Sequence, residues 1–383
     1  MDPVYFDNAA TSWPKPPAVI EAMNAFNRGV GASPGRSGHR LSIEAGRVMQ
    51  EARELLAELF NAGDSLRIAF TKNATEALNI AVFGLLEPGD HVITSSMEHN
   101  SAMRPLRHME RSGVELSIVR SSSSGAIEPD DIIPLIKKNT RAIFITHASN
   151  VTGTVIPVER VGNIAREHGL VFCVDAAQTA GSLPIDIETM NIDLLAFTGH
   201  KSLFGPQGTG GLYVRKDLER EMDFFMVGGT GSRSEFEEQP EFMPDRYEAG
   251  TPNAIGIAGL AAGVEFVRAT GIDAIRDTES RLARVLVDGL GGIPGVTLYG
   301  TGDAGERMPV VSFNVAGMSP SDVSLRLDEE FNIMSRPGLH CAPAAHRSIG
   351  TLPEGTVRFS LGYFNTMAEV EYAVGAVGKI ARG

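Results

Sequence analysis

The sequence predicts an α/β protein: a doubly wound, mainly parallel sheet domain followed by a smaller α+β domain. Three observations lead there. From about residue 66, short β-rich runs alternate with longer stretches of helical character, as strand–helix units do. Several of those runs are almost continuously apolar, as parallel strands covered on both faces must be. After about residue 252 the order changes, with two long helices leading into shorter strands mixed with helices.

In chain order, the expected strands of the large domain are residues 67–71, 91–95, 115–120, 142–146, 170–176, 194–198 and 211–215, with helical stretches such as 74–86 and 157–169 between them. The smaller domain is expected to hold helices at 253–270 and 272–290 and strands at 297–300 and 309–315. A helix at 319–330, a strand at 357–361 and a last helix near 366–381 complete it. The expected division is residues 16–252 for the large domain, and 1–15 with 253–383 for the small one.

Composition narrows the function. The 383 residues carry 34 Lys+Arg against 47 Asp+Glu, a net charge of −13, which disfavours nucleic acid or anionic membrane as a partner. Two cysteines, Cys173 and Cys341, cannot build a disulfide framework and suit a reducing compartment. The start of the chain has no apolar signal region, and no apolar run approaches the roughly 20 residues that span a bilayer. The expectation is a soluble cytoplasmic protein without a metal site.

The chemistry-bearing residues gather at strand ends. Lys201 follows residues 194–198 in a Gly199-His200-Lys201 loop, where partial desolvation lowers an amine's pKa and suits Schiff-base chemistry. Asp175 ends the 170–176 strand, where a buried carboxylate needs a partner such as a pyridinium nitrogen; a helix N-cap is the plainer use. Ala74 and Thr75 open a helix whose free N–H groups and hydroxyl suit a phosphate. His99 follows residues 91–95, where a ring can stack on a flat cofactor and move protons. Asn150 follows residues 142–146 and can bond a phenolic oxygen. Together these make the set of groups that pyridoxal 5′-phosphate requires. No stretch reads as a P-loop or a spaced-glycine dinucleotide fingerprint.

From Tyr5-Phe6-Asp7-Asn8-Ala9-Ala10-Thr11 to the C-terminal helix, the chain resembles the fold-type I, class-V aminotransferase-like enzymes, and among them the cysteine desulfurases. The resemblance implies that Lys201 carries pyridoxal 5′-phosphate, His99 stacks on its ring and Asp175 bonds its nitrogen. It places Gln178 and Asn150 near the 3′ oxygen. Thr75, Thr198 and His200 would hold the phosphate, helped by Thr251 from the second subunit of a homodimer. It also puts the basic loop 34–40, with His39, at the substrate entrance, and the glycine-rich stretch 228–232 near the site.

The reaction is suggested by Ser335-Arg336-Pro337-Gly338-Leu339-His340-Cys341-Ala342. A cysteine in a turn-like Gly/Pro segment beside Arg336 and His340 has cationic neighbours that favour thiolate, whereas Cys173 lies inside an apolar strand and reads as structural. The segment is similar to the signature of the type II, Suf-like desulfurases, with Leu339 where the first histidine is usual and with Pro337 uncommon there. The resemblance implies that Cys341 takes sulfur from L-cysteine, leaving alanine and a persulfide that passes to a small acceptor protein. Arg358, a guanidinium fork on the 357–361 strand, is expected to clamp the substrate carboxylate, with Arg336 and Asn150 beside it. The same scaffold supports selenocysteine lyase, cysteine-sulfinate desulfinase and aminotransferase chemistry.

Overall fold

The protein is described by a computed structural model covering residues 3–35 and 38–383. It begins with β1 (Val4–Tyr5), α1 (Pro17–Gly29) and α2 (Arg40–Leu59). The large sheet is then laid down as β2 (Ile68–Thr71), β3 (His91–Ser95), β4 (Glu115–Val119), β5 (Thr140–Thr146), β6 (Val171–Asp175), β7 (Leu194–Thr198) and β8 (Gly210–Val214). Helices α3 (Ala74–Leu85), α4 (Asn100–Arg111) and α5 (Val158–Glu167) lie between these strands. Every large-domain strand expected from sequence is present within two residues at each end. The sequence pattern had assigned nothing to α1, α2 or α4; α4 carries Pro105 in its interior, which blurs the helical period.

Strand order in the seven-stranded sheet is β2-β8-β7-β6-β5-β3-β4. Strand β8 runs against both β2 and β7, while β7-β6-β5-β3-β4 are parallel throughout. Alternate residues of each strand enter opposite cores. Ile143, Ile145, Phe172, Val174, Leu195 and Phe197 face α2, α5 and α6 (Ala254–Thr270). Ala142, Phe144, Cys173, Leu194 and Ala196 face α3 and α4. This two-sided burial is why the strands read as unbroken apolar runs. Cys173 is fully buried in the second core, as its sequence context predicts.

Connections leave β3 towards β4 and leave β5 towards β6, so the winding reverses between β3 and β5. In open parallel sheets, ligands bind at such a point, beyond the carboxyl ends of the strands. His99 and Asn150 stand on its two sides.

The rest of the chain forms α7 (Ile272–Gly291), β9 (Val296–Tyr299), β10 (Val310–Val315), α8 (Pro320–Phe331), β11 (Ile333–Met334), β12 (Arg336–Gly338), α9 (Pro343–Ser348), β13 (Thr356–Ser360) and α10 (Met367–Arg382). An antiparallel sheet of order β12-β13-β10-β9 packs on α7, α8 and α10. Val4 and Phe6 join that core, with the Phe6 and Phe359 rings edge to face at 5.3 Å. One sequence expectation needs correcting: Arg336–Gly338 is not a free turn but an edge strand on β13, the place where a proline such as Pro337 is tolerated. No single helix among the described residues is long and apolar enough to cross a membrane.

Glu279 on α7 is buried at the seam with the large sheet and accepts a short hydrogen bond from Ser182. Burial pushes its pKa up from 4.5 to about 7, against the pull of Ser182 and Arg276. Between those two values the folded chain binds more protons than the unfolded one. The Glu279 contribution to stability therefore falls as pH rises through that window, by about 3 kcal/mol for the full shift, while the buried histidines, whose pKa values are lowered, act in the opposite direction. Glu279→Gln removes the titration. Relative to the parent, the variant's melting temperature should therefore rise between about pH 5 and about pH 8; a variant-minus-parent difference that is the same at both would clear Glu279 of this role.

Candidate active site

At the carboxyl edge of the large sheet lies a cavity of about 260 Å³. Its walls include Ala74 and Thr75 after β2, His99 after β3, and Asn150 after β5. Asp175 and Gln178 come from the end of β6, and Thr198, His200 and Lys201 from the end of β7. Arg336 and Arg358 close it from the antiparallel sheet, where they pair in register across β12 and β13. Strand ends far apart in sequence therefore bring the predicted residues to one place.

Lys201 is held from behind. The Ser12 hydroxyl donates to the Lys201 carbonyl at 2.8 Å, and Lys15 Nζ donates to the His200 carbonyl at 2.7 Å. Burial brings the Lys201 amine down to about 8, with Asp175 opposing and Arg358 and Arg336 adding to the fall. At pH 7 about a tenth of such amines are neutral, against about one in three thousand for an ordinary lysine.

Asp175 is 4 % exposed and accepts from the Ala177 N–H at 2.9 Å. Burial raises its pKa, against Ala177, Lys201 and Ser101. A cation in the cavity would stabilise its carboxylate. His99 caps α4, its Nδ1 accepting from the Ser101 N–H at 3.0 Å. Burial, then the cations Lys201, Arg336 and Arg358, bring it down to about 4. The ring is thus neutral at pH 7, with its hydrogen on Nε2. Burial likewise lowers His200 to about 4.

Thr198 bonds the Thr209 carbonyl at 3.5 Å, and Gln178 reaches the Ala9 carbonyl at 3.3 Å. Asn73 caps α3 through the Glu76 N–H at 3.0 Å, so the amides of Ala74 and Thr75 remain without an intrahelical partner. Arg358 is 1 % exposed. It pairs with Asp7 at 2.6 Å and donates to the Asn150 carbonyl at 3.0 Å.

Cys341 is exposed and stands just outside the cavity wall, with Arg336 Nη2 3.6 Å from its Sγ. Its expected histidine neighbour does not act as a cation. His340 is buried, bonded to Thr356 at 3.1 Å, and burial drives its pKa down to about 2, so Arg336 supplies the positive charge beside the thiol.

Two further expected residues do not wall the cavity, of which Thr251 was expected at the second subunit's phosphate rather than here. His39 is an exposed N-cap of α2, accepting from the Ser42 N–H at 3.2 Å. Its neighbours Arg36 and Ser37 lie outside the described residues. Thr251 faces outward on a turn held by the buried Arg53–Glu248 pair at 2.6 Å. The 228–232 stretch packs against that same turn, through the Gly250 N–H and the Gly229 carbonyl at 2.8 Å, rather than against the cavity.

Asp7 and Ser101 are site residues that the strand-end reading missed. Asp7 lies in the 5–11 run where the family resemblance begins, but nothing local shows that residue 7 meets residue 358. Ser101 lies in the first turn of a helix the sequence pattern did not reveal.

A sequence profile of the class-V aminotransferases matches residues 4–373. A protein of Methanothermobacter thermautotrophicus named probable cysteine desulfurase is 36% identical over 375 residues, covering 97% of this chain and 92% of that one. The apo structure of a cysteine desulfurase from Thermococcus onnurineus NA1 superposes with a TM-score of 0.94 at 34% identity, covering 100% of this chain and 95% of that one. The cysteine desulfurase CsdA of Escherichia coli, in its S-sulfonic acid form, gives 0.88 at 31% identity, covering 99% and 95%.

Proposed function

The chain belongs to the class-V aminotransferase family, and from that premise we propose that it is a cysteine desulfurase using pyridoxal 5′-phosphate. The observation that carries this reading is an amine of lowered pKa opposite a buried aspartate, with an arginine linking their cavity to an exposed thiol.

The cavity suits the cofactor. Among the described residues, Asn150 Oδ1, His200 Nδ1 and Arg358 Nε are buried without a partner, and all three belong to wall residues. A polar ring bearing an anion satisfies such atoms. When bound, the cofactor supplies an electron-withdrawing ring that stabilises negative charge at the substrate Cα.

Lys201 holds the cofactor and moves the Cα proton, for which an amine poised near neutrality is suited. Asp175 holds a proton on the ring nitrogen. The α3 amides with Thr75, Thr198 and His200 receive the phosphate. His99 covers the ring and presents its Nε2–H to the reacting groups. Arg358 orients the substrate carboxylate, Asn150 Oδ1 would accept from the hydroxyl at the cofactor's 3′ position, and Arg336 stands 3.6 Å from the Cys341 sulfur. Cys341 Sγ then bonds the substrate sulfur as the substrate C–S bond breaks; the electron pair of that bond stays with the carbon part and a proton is added at Cβ, so cysteine leaves as alanine and Cys341 becomes a persulfide.

An exposed Thr251, on a turn tied to Arg53 through Glu248, supports a homodimer in which it reaches the partner's phosphate site. The exposed Cys341 supports hand-over of sulfur to a small acceptor protein. With L-cysteine and a thiol reductant, alanine and sulfide should form in equal amounts. Amino transfer to a keto acid without sulfide would overturn the reading.

A further inference from the structure

His340 and Cys341 both adopt left-handed backbone conformations, with φ of +47° and +58°. Two such residues in succession are unfavourable for side chains with a Cβ, so the loop keeps this shape only where other bonds impose it. Beside the side-chain bonds from His340 to Thr356 and from Arg336 to Cys341, three hydrogen bonds to the loop's backbone carbonyls do so. The Ala342 N–H donates to the Leu339 carbonyl at 2.8 Å, within the loop itself. The Asn100 N–H, first in α4, donates to the Cys341 carbonyl at 2.8 Å. Asn150 Nδ2 donates to the His340 carbonyl at 2.7 Å, and it alone of the three donors is a side-chain atom of a cavity wall residue.

The other end of that amide, Asn150 Oδ1, is buried and has no partner among the described residues. A carboxamide is planar, so its two ends turn together. With Oδ1 unsatisfied, only the His340 bond favours the present orientation over its flipped form. A molecule in the cavity that donates to Oδ1 pins the amide and strengthens its hold on the loop.

We infer that Asn150 is a positioning residue that couples occupancy of the cofactor cavity to the conformation of the Cys341 loop, so that filling the cavity holds the sulfur-accepting thiol more firmly in place. This rests on the pyridoxal 5′-phosphate reading. It differs from a role in ligand contact, because Asn150 acts here on Cys341 through the His340 carbonyl.

The test compares backbone hydrogen exchange in the full chain with and without pyridoxal 5′-phosphate. Loading should slow exchange at Asn100 and Ala342 by about five- to tenfold, the effect of securing one hydrogen bond. Asn150→Asp keeps an acceptor towards the cavity but has no N–H for His340. In it, loading should still slow exchange at Thr75 yet leave Asn100 and Ala342 unchanged. Slowing equal to that of the parent in this variant, or none in the parent, overturns the proposal.

Because Cys173 is fully buried, a thiol reagent reports on Cys341 alone in the native chain, which gives a second readout. Its rate should change with loading in the parent and not in Asn150→Ala; the same change in both would also overturn the coupling. If the parent takes up no pyridoxal 5′-phosphate, shown by the lack of a visible absorption band, the cofactor reading itself has failed and this inference with it. A band without any change in the loop refutes the coupling alone.

Discussion

Lys201→Ala should remove the visible absorption of the cofactor-loaded chain and lower alanine release from L-cysteine by about 10³-fold, a scale typical of losing a positioned proton-transfer group. The expectation follows from placement. Lys201 leaves the end of β7 into a loop whose carbonyls are tied down by Ser12 and Lys15. Its amine lies where burial lowers the pKa to about 8. The fold does not depend on Nζ, so the variant should melt close to the parent. Lys201→Arg is the stricter companion, because it keeps a cation opposite Asp175 but supplies no amine that attacks a carbonyl. Absorption spectra and initial rates decide the matter. A visible band retained in both variants would move the cofactor to another residue.

Cys341→Ala should retain that band and lose sulfur transfer, with sulfide release falling by about 10³-fold, because the group that receives the sulfur is gone while the cavity is intact. Cys341 is exposed and contributes nothing to either core, so a folding defect is not expected. Mass spectrometry after a pulse of L-cysteine should find one added sulfur on the parent and none on the variant. Equal sulfide release from both proteins would show that Cys341 is not the acceptor. Selenocysteine provides a useful contrast, since selenide leaves more readily than sulfide. Alanine release from it that survives in Cys341→Ala would point to a lyase rather than a transferase.

The strand-end residues were legible because their positions depend on local sequence alone. Once residues 171–175 and 194–198 form neighbouring parallel strands, Asp175 and the Gly199-His200-Lys201 loop must emerge on the same edge. Cys173 was legible as core for a similar reason, since every residue of its strand is apolar up to Asp175. The Cys341 segment was less legible. Its glycine and proline content suggested a turn, but Arg336–Gly338 completes a sheet whose partner strand comes twenty residues later. His340 reads as a cation from its neighbours in sequence, and burial against Thr356 makes it neutral instead. His39 carried a family expectation, and it does not wall the cavity of this chain.

What the sequence determined by itself was the alternation of apolar strands and helices, and with it the edge at which the chemistry gathers. That follows from patterning, which acts over a few residues at a time. Only the tertiary structure decided that Asp7 meets Arg358, that Arg336 faces both Arg358 and Cys341, and that one amide of Asn150 joins the cavity to the thiol loop. These pairs lie on segments that only the packing of the two sheets brings together. The charge states of Lys201, His99 and His340 come from the water which that packing removes, and no local pattern encodes its extent.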